Sequence, residues 1–132
     1  MHNNNIASVL TRTDTWRGHS QRLPRSTIAT GHSHLDRLLQ GGWPVSALSE
    51  LLPQQPGIGE LSLLLPTIKY YADNHQLCVW LDPPYQPYAP TLVAAGIALD
   101  KLLIVRSKSP AEWLWAAEQS IRSGALLLAW TK

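Results

Sequence analysis

The sequence predicts an α/β fold, a single domain with a mainly parallel sheet and flanking helices. Three observations carry this. Apolar runs at residues 47–52, 77–81, 102–105 and 125–130 alternate with stretches of helical periodicity, the pattern of strands joined by right-handed crossover helices. The run Leu77-Cys78-Val79-Trp80-Leu81 is apolar at every position, as a strand covered on both faces must be. Between the first apolar run and the second lies Pro56-Gly57-Ile58-Gly59-Glu60-Leu61-Ser62, which gives a strand–glycine loop–helix order.

Residues 1–27 are polar and lack periodicity, so they read as a loosely ordered basic arm, with 28–132 as the α/β domain. Trp16 interrupts the arm and could dock it onto the domain. Thr30 or Ser33 can cap a short helix carrying Leu35, Leu38 and Leu39 at i, i+3 and i+4, which Gly41-Gly42 ends. Ala47 to Leu52 reads as the first strand. Glu60 to about Asp73 reads as a helix with Leu61, Leu64, Leu65 and Ile68 on one side, kinked or shortened by Pro66. After the strand at 77–81 come a proline-dense loop (Pro83, Pro84, Pro87, Pro90) and a short helix ending near Gly96. Leu102 to Val105 is the third strand. Ser109-Pro110-Ala111-Glu112 places Ser at the N-cap, Pro at N1 and Glu at N3, a capping box. The helix it opens runs to Ser123, and Gly124 can end it. Ala125 to Trp130 is the fourth strand. A sequence that stops there reads as either a minimal form of its fold or a fragment, and a sheet edge left open could pair with a second copy.

At 132 residues the chain is long enough for a real core. A net charge of +2 is too small to argue for nucleic acid by itself. Arg12, Arg17, Arg22 and Arg25 against Asp14 alone make the arm basic. A solvated tail is the first reading of that arm, and contact with phosphates or acidic protein the second. Cys78 is the one cysteine and sits in an apolar run, which excludes a disulfide framework and predicts a buried thiol. No apolar run nears the roughly 20 residues that span a bilayer. Met1-His2-Asn3-Asn4-Asn5 lacks the apolar core of a signal peptide, so the expected location is the cytoplasm.

The glycine loop has the frame of a phosphate-binding loop without its chemistry. In the working form G-x-x-x-x-G-K-[ST], backbone N–H groups cradle phosphates, Lys reaches the β/γ-phosphates and the hydroxyl holds Mg²⁺. Here Gln54 stands at the first Gly, Glu60 at the Lys and Leu61 at the hydroxyl, while Gly57 and Gly59 remain. With a carboxylate in place of an ammonium, one contact at ~4 Å and a dielectric of ~20 turns from about −4 to about +4 kcal/mol. Even a third of that costs about two decades in affinity. No nucleotide cofactor and no catalytic residue are expected.

The remaining constellations are weaker. His32 and His34 would point opposite ways on a strand and diverge on a helix, so no metal site is expected among His19, His32 and His34. Ser33 and Ser62 lack a nucleophile-elbow motif. Asp82 ends the second strand, where α/β sites collect, although two prolines follow it and a loop-shaping role comes first. On the last helix, Trp113, Leu114, Ala117 and Ile121 share one side, and Trp115 lies with Glu118 and Arg122 on the other. Trp115 is either an interface anchor or is covered by the arm. Tyr85 and Tyr88 are lesser candidates of the same kind.

The series Thr30-Gly31, Leu35-Asp36, Gly41-Gly42-Trp43-Pro44, Leu48, Glu50 and the glycine loop resembles the entry to a RecA-like core. Adding Trp16-Arg17-Gly18, Asp82-Pro83-Pro84-Tyr85, Pro87-Tyr88-Ala89-Pro90, Ala94-Ala95-Gly96 and Trp115-Ala116-Ala117-Glu118-Gln119, the chain is similar to the SulA/ImuA family of bacterial SOS-response proteins, on its ImuA side. The resemblance implies a RecA-like domain with a degenerate P-loop. In it the RecA catalytic Glu falls at Pro84 and the Walker B Asp at Trp130. It implies a non-catalytic accessory factor of error-prone translesion synthesis, with ImuB, RecA or an error-prone polymerase as partners. The alternative within the family is a SulA-like inhibitor of FtsZ polymerisation. The chain matches SulA at Leu81 and Lys101 and departs from it at Gln76 and Thr91, where SulA has Arg and Trp. Trp115, Leu81, Lys101, Arg122, Tyr85 and Tyr88 are the partner-binding candidates. An atypical ATPase and DNA binding through the arm are the readings from other classes.

Overall fold

A computed structural model describes residues 6–12, 26–55, 57 and 59–131. Trp16, Arg17, Gly18, His19, Arg22 and Arg25 of the arm, and Pro56 and Ile58 of the glycine loop, lie outside the described residues. In chain order the elements are α1 (Ile6–Leu10), β1 (Thr27–Ile28), α2 (Ser33–Leu38), β2 (Trp43–Pro44), α3 (Glu60–Asp73), β3 (Cys78–Leu81), α4 (Ala89–Ala94), a 3-10 turn (Leu99–Lys101), β4 (Leu102–Val105), α5 (Pro110–Arg122) and β5 (Leu126–Ala129).

The centre is a three-stranded parallel sheet in the order β4-β3-β5, with Cys78 level with Leu102 on one side and Leu126 on the other. All four residues of β3 are buried, which its unbroken apolar run requires of a middle strand covered on both faces. On one face Cys78 and Trp80 pack with Ile68 of α3, Leu92 of α4 and Ile97, bordered by Leu61, Leu64 and Leu65. On the other, Leu81 packs with Ala116 and Ala117 of α5, bordered by Val105, Trp113 and Leu127. The architecture is therefore mixed α/β, with α3 and α4 over one face and α5 over the other. Burial pushes the Cys78 thiol up to about 12, and the nearby Trp80 indole pulls it down to a lesser extent. That approach falls short of a hydrogen bond, since Trp80 Nε1 has no partner. Cys78 is an inert core thiol.

Most elements fall where the sequence places them, and α5 shows why. Ser109 Oγ accepts from the Glu112 N–H at 3.2 Å, and Glu112 Oε2 reaches back to the Lys108 N–H at 2.7 Å, one residue before the cap. Pro66 does not break α3, which runs unbroken through all 14 residues. The lost N–H is one bond in a helix whose apolar side is held by the sheet. The ring also wedges against the Thr30-Gly31 turn, where a Cβ on Gly31 would lie 2.6 Å from Pro66 Cβ.

Three expectations are corrected. Ala47–Leu52 is not a strand: the chain bends at Ala47 and is irregular from there to Leu52, with Leu48 94% and Leu52 80% exposed. Ser46, at φ 52°, turns the chain as it leaves β2, and no described strand offers 47–52 a ladder. Neither Thr30 nor Ser33 caps α2; His32 occupies the N-cap position without a side-chain bond. The arm contains the five-residue α1, and its last residue, Thr27, already pairs with Pro44 in the β1–β2 ribbon. No described helix is long and apolar enough to cross a membrane.

Thr30 does its work from inside the turn. Fully buried, it donates from both its N–H (2.8 Å) and its hydroxyl (2.7 Å) to Asp36 Oδ1. Those two bonds, the hydroxyl first, hold the Asp36 carboxyl below its ordinary value of 3.8. A depressed carboxylate stabilises the fold above its unfolded pKa, and that contribution is lost as pH falls through the folded pKa. Lowering pH from about 6 to about 2.5 is therefore expected to reduce the urea midpoint more in the wild type than in Asp36→Asn. Equal losses in the two proteins would contradict the assignment.

Candidate functional site

The crossovers put three features at the carboxyl end of the sheet, where α/β proteins place their sites: the start of α3, the loop after β3 and the loop after β4. At the first, Gly59 holds the N-cap of α3 at φ 105° and Gly57 lies at φ 81°. A Cβ added at either meets nothing within 4 Å, so both glycines answer to backbone conformation and not to crowding. The Glu60 carboxylate folds back and accepts the Gly57 N–H at 2.8 Å. A first-turn carboxylate is favoured there by the helix dipole as well. An amide that a phosphate-binding loop would offer to an anion is thus already taken by an anion of the chain itself. Leu61, at the hydroxyl position, is partly buried and packs against the core cluster of Ile68 and Trp80.

The other two features, the loops after β3 and β4, are tied to each other. Asp82 sits at φ 51°, a left-handed conformation that Asp tolerates better than most residues, and its N–H donates to the Val105 carbonyl at 2.9 Å. Its carboxylate accepts the Ser107 N–H at 2.7 Å and the Ser107 hydroxyl. Arg106 donates to the Pro83 carbonyl (3.0 Å) and to Gln86 Oε1 (3.3 Å). These bonds tie the proline loop to the turn after β4, so Asp82 shapes the loop. Sequence reasoning missed Arg106 and Ser107; their place straight after an apolar strand, opposite the proline loop, was the available signal. At the positions matched to RecA chemistry, Pro84 is exposed and Trp130 packs against Trp80, ring centroids 5.8 Å apart. Neither carries a carboxylate. Among the described residues no group of His, Cys, Asp and Glu could hold a metal ion.

The partner-binding candidates scatter. Leu81 is a correction: it is wholly buried under α5, because β3 is the middle strand, and no partner can reach it. Lys101 is half-buried at the amino end of β4, the opposite end of the sheet from the proline loop. Tyr85 and Tyr88 are 73% and 72% exposed. Beside them an open groove of about 230 Å³ is lined by Gln86, Pro87, Ala89, Leu92, Leu99, Leu102 and Ile104.

On the other face of the sheet, Trp115 is 65% exposed, next to a Glu118–Arg122 ion pair of 2.8 Å. The helical wheel misassigned two neighbours. Leu114 and Ile121 are also two-thirds exposed, and the stripe that α5 buries is Trp113, Ala116, Ala117 and Ser120. Small residues there let α5 lie close to the sheet, and Trp113 Nε1 anchors it to the Trp130 carbonyl at 3.3 Å. α5 therefore leaves three large apolar side chains in solvent, Leu114 and Ile121 on one flank and Trp115 on the other side of the Glu118–Arg122 pair, and Trp115 is of the residue type favoured at protein interfaces. Compared with protein-family models the sequence matches none, and a search of curated proteins finds no significant match.

Proposed function

We propose that this chain is a non-catalytic protein-binding domain with a RecA-like core and a degenerate P-loop, of the ImuA kind. It acts as an accessory factor in SOS-induced error-prone translesion synthesis. The observation that carries the non-catalytic part is the Glu60 carboxylate seated on the Gly57 amide. Nucleotide phosphate would have to displace a tethered anion and then meet its charge, with Leu61 in place of a metal ligand. The parallel sheet covered by helices on both faces supports the core assignment, and the residue series described above supports the family. The exposed Trp115 on α5 supports action through a protein partner. The FtsZ-inhibitor alternative loses one of its two matched positions, since Leu81 is buried.

The test is binding of the purified protein to immobilised ImuB and RecA, with FtsZ pelleting alongside. Trp115→Ala is expected to weaken ImuB or RecA binding at least about tenfold, as an exposed Trp anchor does, while moving the melting temperature by less than about 2 °C. Stoichiometric inhibition of FtsZ polymerisation would instead establish the division-inhibitor reading. A large loss of stability in the variant would make Trp115 a packing residue.

A further inference from the structure

The outer edge of β4 is open and unguarded. Asp82 donates its N–H to the Val105 carbonyl, so Val105 and, two residues back, Leu103 turn their backbone groups toward β3. Leu102 and Ile104 therefore turn theirs outward, where no described strand pairs with them. Edge strands are ordinarily blunted by a charge or a proline, and β4 (Leu-Leu-Ile-Val) carries neither. The side chains of Leu102 and Ile104 pack on the α3–α4 face of the sheet. Leu103 therefore faces the α5 side, where it is 46% exposed.

The charges that flank this strand suit a second copy of the same edge. Two copies of β4 can pair antiparallel across a two-fold axis. One register matches every outward residue of one β4 with an outward residue of the other: Leu102 opposite Ile104 of the second copy, with Leu103 opposite Leu103 on the axis. That register sets Asp100, two residues before the strand, opposite Arg106, one residue after it, and the two-fold repeats the pair on the other side of the axis. Both side chains are exposed. Arg106 gives one N–H to the Pro83 carbonyl and one to Gln86 Oε1, and a guanidinium has more donors than these bonds use. On the open edge of β5 the equivalent places hold Gly124 and Trp130, so self-pairing there gains no such charge pair.

We infer that the chain forms a two-fold dimer through the β4 edge, which joins two three-stranded sheets into one of mixed direction. The pairing satisfies the outward N–H and C=O groups of Leu102 and Ile104 and sets Leu103 against its own copy, withdrawn from water. On the α4 side it brings together the two grooves that Leu99, Leu102 and Ile104 line. The Asp100–Arg106 pairs at either end fix the register, because opposite charges favour it and a slip would separate them. A contact centred on one short strand belongs to the small, weak class of interfaces. This inference stands apart from the proposed function.

Sedimentation equilibrium of the full chain from about 1 to about 200 μM tests it, with a dimer dissociation constant expected in the micromolar range. Asp100→Arg and Arg106→Asp each set like charges opposite one another, and each is expected to weaken self-association at least about tenfold. An equimolar mixture of the two variants restores an Asp–Arg pair at both ends and is expected to associate within about threefold of the wild type. Leu103→Cys is expected to give a disulfide-linked dimer under oxidised glutathione. Opposed residues of a non-hydrogen-bonded antiparallel pair lie within disulfide range, and the native Cys78 is buried and cannot compete. A monomer over the whole concentration range would overturn the inference. So would a dimer that neither charge variant weakens, a mixture that fails to associate, or a Leu103→Cys protein that stays uncross-linked.

Discussion

Replacing Trp80 by Ala is expected to cost about 3–5 kcal/mol, a large share of the stability of a domain whose total lies in the range of about 5–15 kcal/mol. Trp80 is the largest fully buried side chain in the described structure, 1% exposed at the centre of the middle strand. It joins elements that are distant in sequence: Ile68 from α3, Leu92 from α4, Ile97 and the Trp130 ring. Removal leaves a cavity whose walls come from parts of the chain far apart in sequence, and such a site collapses poorly. Trp80→Phe is expected to be much milder. It keeps the aromatic contacts and removes a buried Nε1 that has no hydrogen-bond partner, a group that costs about 1–3 kcal/mol to bury. Urea midpoints of the two variants check the order. A loss below about 1 kcal/mol for Trp80→Ala would show that Trp80 is not the centre of the core.

Gly42→Ala is expected to cost about 3 kcal/mol or more, against about 1 kcal/mol for Gly57→Ala. Both glycines hold a positive φ, 130° at Gly42 and 81° at Gly57, so both variants carry backbone strain. They differ in what surrounds them. A Cβ at Gly42 would lie 2.0 Å from the Ile28 carbonyl oxygen and 2.7 Å from its carbon. Both are backbone atoms held in place by the β1–β2 pairing of Ile28 with Trp43. Nothing flexible can yield, so the ribbon must open or the residue must turn. A Cβ at Gly57 meets open space. Thermal unfolding of both variants separates crowding from strain, and equal losses would remove crowding as the cause.

The central sheet was legible because its signals are local and redundant. The unbroken apolar run of β3 marks a middle strand without any knowledge of its neighbours, and the Ser109–Glu112 box marks the start of α5 to the residue. The segment 47–52 reads the same way, but a strand also needs a partner, and no described strand pairs with it. Helical periodicity likewise gave α5 two sides without saying which the sheet would take. Burial went to Ala116, Ala117 and Ser120 because small residues permit close approach, which left the bulkier Leu114 and Ile121 outside. At the glycine loop the sequence showed the wrong charge for phosphate. That the same carboxylate would turn back and take the Gly57 amide depends on the turn geometry at Gly57 and Gly59. Leu81 shows the opposite failure, a residue matched by resemblance and then buried by its place in the middle strand.

Whether the glycine loop binds nucleotide is decided most directly by calorimetric titration of Mg-ATP into the full chain. With Glu60 seated on the Gly57 amide and Leu61 packed against the core, no binding heat is expected up to about 1 mM nucleotide. A dissociation constant in the micromolar range would contradict the closed loop and return the chain to the nucleotide-binding proteins.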